Sequence, residues 1–348
     1  MPVVKRGRGL VAIVGLLGLA SLGLWLAWPR SPVDSKVESS LVRAPEHPEV
    51  RRITIEDPGQ HWPREGFIEM VPPVRLPSSS AELDDVEIWL WLPPSGEITT
   101  KFDPGEQRWI LGFPAGTIAD RVEWRGKGER RAIADVRGAR IDDAGREWMH
   151  TLRRTSNDPA APLFGYEWPR DDPSAHAEAT ELLLAELGQI EPGSQMSADK
   201  REHYLGSIRR KNECVACHVV ERPVNQREGE HGVVNRGTDA SGWFTPATVL
   251  MDELPLESYG DVDRNLDARN VELRCPEDQP LGRETRGRRV RATCAKGAVP
   301  LARFDLRAAL LEGDERAQRV CSSRIALYER LDSKGQAGLV AAIEPCRR

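Results

Sequence analysis

The 348-residue sequence predicts an α+β protein with an N-terminal transmembrane helix, a β-sandwich or open-barrel module, a mostly helical region and a small disulfide-stabilised C-terminal region. Three observations predict this class. An uncharged apolar run lies near the N-terminus, β-forming segments punctuated by Pro and Gly follow it, and helical patterns come next. The expected domains are a signal anchor (1–30), a linker (31–50), a β-rich module (51–172), a mostly helical region (173–258) and the C-terminal region (259–348).

The N-terminal segment predicts a membrane anchor. Residues 10–28 form an uncharged run of 19 residues, close to the roughly 20 that cross a bilayer as a helix. The preceding basic residues Lys5, Arg6 and Arg8 place the short end in the cytoplasm and the bulk of the chain outside. No small-x-small cleavage site ends the run, so retention is expected, although cleavage near Ala20 would release a soluble protein. Residues 31–50 then serve as a tether.

Three segments predict the strands of the β-rich module. Residues 86–92 are dense in β-formers, residues 118–124 alternate in part, and residues 131–141 place short apolar side chains between polar ones. Turn sequences at 93–96 and 114–116 separate them. The module also holds six tryptophans, which we expect to pack in the core or on the sheet: Trp89, Trp91, Trp109, Trp124, Trp148 and Trp168.

Two helices are predicted after the β-rich module. The first extends from Ser174, a plausible N-cap, to Gly188, which supplies the stop. The second extends from about Ser197 to Lys211. A cysteine motif follows directly, at the end of this second helix.

That motif is Cys214-Val215-Ala216-Cys217-His218, a single CxxCH. Two thiols at this spacing form thioethers to the two vinyl groups of one haem, and the adjacent histidine then ligates the iron from the proximal side. A thioredoxin-like redox site would need a preceding strand, but charged, helix-like residues precede the motif. A zinc site would need a second close ligand pair, and the other cysteines do not recur at short spacing. We therefore expect one covalent haem c, held by Cys214, Cys217 and His218 in a haem-binding region at 173–258.

The sixth ligand of the iron has several candidates. Met251 lies 33 residues after His218 and is the first choice, with an ordinary core methionine as the alternative. His231 is the second choice, with an exposed loop histidine as the alternative, and Met196 is the third. Trp243 and Phe244 are expected to wall the haem pocket, although packing elsewhere explains them equally well.

Four further cysteines lie in the C-terminal region. They allow three disulfide connectivities, and pairing of sequence neighbours is the simplest. Residues 271–275 and 289–294 resemble the two strands of a hairpin, which a Cys275–Cys294 bond would bridge. Cys321 lies in a helix predicted from about Asp314 to Leu331, and Cys346 would join the C-terminal tail to that helix.

A resemblance extends over residues 85–218. Its signals are WLPPSGEI at 91–98, FPAGT at 113–117 and YEW at 166–168, with two aspartates at 171–172. In this order they resemble a β-rich module found beside CxxCH motifs in bacterial envelope cytochromes. The module is similar, more distantly, to the hydroxylamine-oxidising cytochromes whose haem is cross-linked to a lysine, and to their cytochrome c′-beta relatives. The resemblance implies that the β-rich module helps to hold the haem.

One residue departs from the pattern of the cross-linked cytochromes. Arg121 stands where the strand after FPAGT would align a lysine, and Lys101 is not on that strand. Because arginine does not readily replace lysine in such a cross-link, the departure argues against hydroxylamine oxidation.

Composition and motif together give the functional hypothesis. A net charge of -5 and a pI near 5.9 argue against general nucleic-acid binding. The main hypothesis is a monohaem c-type cytochrome anchored in the bacterial inner membrane, with its bulk in the periplasm, that exchanges electrons with redox partner proteins in the cell envelope. The alternatives are a haem enzyme or gas-ligand sensor with an open sixth site, and an envelope interaction module with a structural haem. Whether the protein is an enzyme stays open.

Overall fold

The largest element of the fold is a seven-stranded antiparallel sheet in the order β1-β9-β8-β7-β6-β3-β2. The computed structural model describes residues 44–73, 85–104, 108–126, 128, 131–212, 232–236, 249–255, 270–286, 289–298 and 300–347. The strands of the large sheet are β1 (Arg51–Ile55), β2 (Ile68–Glu69), β3 (Asp85–Trp91), β6 (Ile118–Arg125), β7 (Ala132–Ile141), β8 (Glu147–Arg154) and β9 (Leu163–Pro169).

Three smaller sheets accompany it. They have the orders β10-β5-β4, β11-β15-β12 and β13-β14. Their strands are β4 (Thr99–Asp103), β5 (Arg108–Gly112), β10 (Gly232–Arg236), β11 (Glu253–Pro255), β12 (Val271–Arg274), β13 (Leu281–Arg286), β14 (Arg289–Cys294) and β15 (Leu301–Phe304). The helices are α1 (His61–Arg64), α2 (Pro173–Gln189), α3 (Ala198–Lys211), α4 (Leu306–Leu311), α5 (Glu315–Tyr328), α6 (Ser333–Gly338) and α7 (Val340–Ile343).

The two faces of the large sheet carry different cores. On one, called the helix face, α2 and α3 bury apolar side chains against β8 and β9, including Met149, Tyr166 and Trp168. On the other, called the α1 face, Trp62 of α1 packs with Val122 and other apolar residues of the central strands. Because both faces are covered, β8 and β9 are buried along nearly their whole length.

Helix α2 begins one residue before the predicted position. Asp172, rather than Ser174, is its N-cap: the Asp172 carboxylate accepts hydrogen bonds from the backbone N–H groups of Ser174 and Ala175. Pro173 occupies the first turn, where its missing N–H costs no hydrogen bond. The apolar side of α2, including Leu183 and Leu187, is buried against the sheet.

The predicted fold class is wrong in three respects. The large sheet, with β1 and β2 at its ends, takes the place of the predicted β-sandwich or open barrel. The region 173–258 contains strands β10 and β11 as well as α2 and α3, and β10 pairs with β5 of the β-rich module. The C-terminal region likewise combines two small sheets with short helices. Strand pairings between residues distant in sequence account for these differences.

The predicted location also needs correction. In the parts of the chain that the structure describes, no helix has the length and apolar character needed to cross a membrane. A single-pass inner-membrane protein with its bulk in the periplasm is therefore not supported. Residues 10–28, from which that location was predicted, lie outside the described residues.

Among the described residues, two disulfides, Cys275–Cys294 and Cys321–Cys346, join the pairs suggested by sequence order. The hairpin predicted around the first pair is wrong. β12 pairs with β15, and the hairpin consists of β13 and β14. Cys275 therefore precedes the hairpin, and its disulfide ties the end of β14 back to the residue that follows β12.

The C-terminal region shares a core with the β-rich module. A single hydrophobic cluster contains Leu90 and Ile98 from the module together with Met251, Val320 and Leu331. Two backbone hydrogen bonds reinforce this junction. The N–H of Ile98 donates to the carbonyl of Arg330, and the carbonyl of Ile98 accepts from the N–H of Asp332. The two regions are therefore packed as parts of one body.

Candidate functional site

Most of the residues predicted to hold the haem lie outside the described residues. Those residues are Cys214, Cys217, His218, His231, Trp243 and Phe244. Their predicted roles stay predictions. The structure does describe the chain up to Asn212, two residues before Cys214. The surroundings of Asn212 therefore show where the CxxCH segment begins.

Asn212 fixes the end of α3 to the large sheet and to α2. It is the C-cap residue of α3 and is only 1% exposed. Its side-chain Oδ1 accepts a hydrogen bond from Thr151 Oγ1 of β8 at 2.7 Å, and its Nδ2 donates to Thr180 Oγ1 of α2 at 2.6 Å. A buried side chain bonded to two different elements holds the backbone in one position.

His176 adds a third bond to the same residue. Its Nε2 lies 2.8 Å from the backbone oxygen of Asn212, and its ring stacks on Trp168 with centroids 5.1 Å apart and an interplanar angle of 26°. His176 is not among the residues predicted from the sequence. The available signal was its spacing of four residues from Thr180, which places the two polar side chains on the same side of α2.

Beside Thr151, the helix face carries six polar side chains in two cross-strand rows, here called the polar array. Antiparallel register aligns Arg121 with Arg137 and Thr151 in one row, and Glu123 with Asp135 in the next, where Arg153 follows. Residues two apart on a strand share a face, so each strand contributes one residue to each row. All six are buried or nearly so, with Arg137 the most accessible at 14% of its side chain.

Ion pairs connect the polar array internally. Asp135 Oδ2 lies 2.8 Å from Arg137 Nε, its Oδ1 lies 3.0 Å from Arg153 Nε, and Arg121 contacts Glu123. The array contains three guanidinium groups and two carboxylates. Burial lowers the pKa of the Arg153 guanidinium, an effect that Asp135 opposes and the neighbouring Arg137 reinforces. The ion pairs therefore offset only part of the free-energy cost of removing the Arg153 guanidinium from water.

A different polar cluster occupies the α1 face of the same strands. His150 Nε2 on β8 lies 2.7 Å from Asp120 Oδ1 on β6, and Trp62 Nε1 donates to Asp120 Oδ2 at 2.8 Å. The two strands are separated by β7, whose residue at this register position is Gly138. A Cβ at Gly138 would come within 2.3 Å of Asp120 Oδ1 and 2.4 Å of His150 Nε2, so the contact requires glycine.

Met251 lies in the shared hydrophobic cluster. It is 7% exposed, and its backbone carbonyl accepts a hydrogen bond from Arg324 Nη2 at 3.1 Å. Arg324 is 0% exposed and also donates to Val249 O and Ala342 O, both at 2.7 Å. This environment accounts for Met251 as a packing residue, while its predicted ligation of iron stays untested. Met196 is partly exposed, and its carbonyl accepts from Arg201.

Two further features bear on possible sites. Among the described residues, no group of three or more His, Cys, Asp or Glu is arranged to hold a metal ion. An open cleft of about 620 Å³ lies between β4, β5 and α6. It is lined by Thr100, Lys101, Phe102, Trp109, Lys334, Ala337 and Gly338, none of which belongs to the polar array.

The polar array and the Asn212 anchor therefore form the candidate site, and both involve the β-rich module. The implied resemblance to envelope cytochromes is compatible with that arrangement and stays a prediction. When the chain is compared with known proteins, it matches no family model, no curated protein and no solved structure.

Proposed function

We propose that this chain is a monohaem c-type cytochrome that exchanges electrons with redox partner proteins. Cys214 and Cys217 would carry the thioethers, and His218 would be the proximal ligand. When bound, haem c supplies a one-electron iron couple whose potential depends on axial ligands, burial and nearby charge. The observation that carries the proposal is the buried Asn212 anchor immediately before the CxxCH motif.

The anchor supports the proposal through simple chain geometry. Successive Cα atoms are about 3.8 Å apart, so two residues span at most about 7.6 Å. Attachment at Cys214 would thus begin close to Thr151 and the polar array. A c-type cytochrome needs its attachment point held against the protein body, and three hydrogen bonds to Asn212 from β8 and α2 provide this.

The polar array fits a haem group at this position. A haem carries two propionate carboxylates, and the array contains three guanidinium groups, those of Arg121, Arg137 and Arg153. Positive charge near a haem also favours its reduced form, which is the less positive of the two states. The arginines would therefore contribute both to binding and to the reduction potential.

A haem stain on a denaturing gel tests the attachment directly. Wild-type protein, produced in cells able to attach haem c, should retain a stained band after boiling and reduction, because thioethers are covalent. A Cys214→Ser/Cys217→Ser variant should lose the band. The matched control is Cys275→Ser/Cys294→Ser, which also removes two cysteines but only a disulfide, and it should keep the band. An unstained wild-type band would overturn the proposal.

A second candidate is a haem protein with an open sixth site, which binds a small ligand or acts as an enzyme. The burial of Met251 in the hydrophobic cluster favours it, because packing already explains that methionine. Carbon monoxide separates the two candidates: a ferrous protein with an open site binds it without denaturation, and one with a strong sixth ligand does not. Met251→Leu, which conserves volume, should leave the absorption spectrum unchanged only if methionine is not a ligand.

A further inference from the structure

We propose that the open cleft between β4, β5 and α6 binds a small aromatic carboxylate. The ring of the ligand lies against Phe102 and Trp109. Its carboxylate faces Lys101 and Lys334. The cleft lining includes no member of the polar array and no residue predicted to hold a haem. Binding there goes beyond the proposed function and does not require an attached haem.

Two aromatic side chains form the apolar part of the cleft. Phe102 of β4 and Trp109 of β5 are cross-strand partners, and their ring centroids lie 5.3 Å apart at an interplanar angle of 54°. Both side chains are only partly buried, so they present apolar surface in a concave region that is open to solvent. A flat ring covers such surface with few rotatable bonds to immobilise, and it gains ring–ring contacts.

Two lysines form the charged part of the cleft. Lys101 lies on β4 and Lys334 lies in α6, and both residues are exposed. Neither ammonium group is paired with a carboxylate of a described residue. Because the two cations lie on different walls of the cleft, an anion between them is attracted by both, and a cationic ligand is repelled.

The walls of the cleft are held together by hydrogen bonds and close packing. Asp332 is the N-cap residue of α6, and its carboxylate accepts from the N–H of Gly335 at 2.8 Å. The same carboxylate accepts from the N–H of Thr100 at 2.7 Å and from the Thr100 hydroxyl. A Cβ at Gly338 would come within 1.9 Å of the Trp109 ring, so α6 lies directly against β5. A ligand therefore meets a preformed cleft and orders little of the protein when it binds.

The chemistry of the lining selects the class of ligand. Its hydrogen-bonding side chains are the two lysines, the Trp109 indole and the Thr100 hydroxyl, which already donates to Asp332. A lining that is rich in donors, with no carboxylate among its described residues, suits a negatively charged group that accepts hydrogen bonds. The volume of about 620 Å³ is within the range of small-molecule sites and admits a ligand of one or two rings.

Calorimetric titration of the intact protein with sodium 2-naphthoate tests the site. The wild-type protein should bind one equivalent, and the affinity should fall as the salt concentration rises. Two matched probes separate the parts of the ligand. Decahydro-2-naphthoate keeps the charge but is not flat, and 2-naphthalenemethanol keeps the ring but has no charge. Each should bind more weakly than 2-naphthoate by about threefold or more.

Three variants at exposed positions locate the binding. Lys101→Gln/Lys334→Gln should bind 2-naphthoate about fivefold more weakly, since one exposed ion pair changes affinity by a factor of about 1.5–5. Lys200→Gln is the control and should bind like wild type, because Lys200 is an exposed lysine of α3 outside the cleft lining. Ala337→Leu fills part of the cleft without changing its charge and should weaken binding of both naphthalene probes by about threefold or more. The thermal melts of all three should match wild type.

The cleft and the cytochrome assignment can fail separately, because the titrations do not depend on the haem stain. Absence of saturable 2-naphthoate binding by the wild-type protein would overturn the inference. Equal affinities of Lys101→Gln/Lys334→Gln and Lys200→Gln would also overturn it, as would naphthalene binding that Ala337→Leu leaves unchanged.

Discussion

Replacement of Asn212 by alanine is expected to destabilise the protein more than its size suggests. The substitution removes two buried hydrogen bonds, one to Thr151 and one to Thr180. The Thr180 hydroxyl lies in α2 and can turn to the carbonyl four residues earlier, so only about 1 kcal/mol is lost there. The Thr151 hydroxyl lies in the middle of a buried strand, and its desolvation costs about 1–3 kcal/mol. We expect a total loss of about 2–4 kcal/mol in the free energy of unfolding.

Urea denaturation measures this loss. Asn157→Ala, at an exposed asparagine, is the control and should change the free energy of unfolding by less than about 0.5 kcal/mol. A Thr151→Val/Thr180→Val/Asn212→Leu variant removes all three polar partners together and should be less destabilised than Asn212→Ala. If the proposed haem is attached, Asn212→Ala should also broaden the electron paramagnetic resonance lines of the ferric protein, because the residues before Cys214 have lost their side-chain anchor. A stability of Asn212→Ala within 0.5 kcal/mol of the Asn157→Ala control (about the spread expected of surface changes) would refute this reasoning.

Three other predictions concern the surrounding structure. Gly138→Ala should destabilise by about 3–5 kcal/mol through overpacking and loss of the Asp120–His150 contact. The same change at Gly188, near the end of α2 with its nearest neighbour at 3.5 Å, should be neutral or stabilising, and equal thermal melts for both would contradict this. Arg324→Met should cost about 3–5 kcal/mol in urea titrations, because it leaves several buried carbonyls unsatisfied; a loss below about 1 kcal/mol would argue that water replaces the guanidinium. Hydrogen bonds from the Ser174 hydroxyl and from backbone N–H groups lower the pKa of Asp172 in the folded state. The Asp172 carboxylate therefore stabilises the fold above its unfolded pKa of about 3.9, and this stabilisation disappears as the pH falls through its folded pKa. The acid limb of stability should therefore be less steep in Asp172→Asn, as measured by melting from pH 2 to 5; an unchanged limb would exclude this residue as a contributor.

Elements with a strong local signal could be predicted from the sequence. The observed bounds of β3, β6 and β7 lie within one residue of the predicted segments, because each strand has β-forming side chains and ends at turn residues. The start of α2 was predicted one residue too late because Asp172 and Ser174 are both favourable N-cap residues. Pro173 decides between them, since proline is favoured at the first helical position, directly after the N-cap.

Long-range pairing was much harder to predict. β12 and β14 resemble two strands of a hairpin in sequence, but β12 pairs with β15, 30 residues further along the chain. β8 and β9 have no alternation of buried and exposed residues, since both of their faces are covered. Patterns within one strand do not specify its partner, so the sheet order required the structure.

The polar array was missed for a related reason. Charged residues in a strand usually indicate a solvated face, and Arg121 was considered only as a departure from a family pattern. The signal was the recurrence of polar residues two positions apart on three successive strands: Arg121 and Glu123, Asp135 and Arg137, and Thr151 and Arg153. Only the register shows that these pairs share one buried face.

The contact between Asp120 and His150 limits how far β6 and β8 can move apart at the polar array. It joins β6 to β8 across β7 on the α1 face. On the helix face, β6 and β8 carry the two end residues of each row of the polar array, with β7 between them. A hydrogen bond between strands that flank a third strand resists their separation. The arginine side chains on these strands therefore have little freedom to reorient when a nearby charge changes. A site whose dipoles stay in place has a small reorganisation energy, a property that favours fast electron exchange and strong electrostatic binding alike.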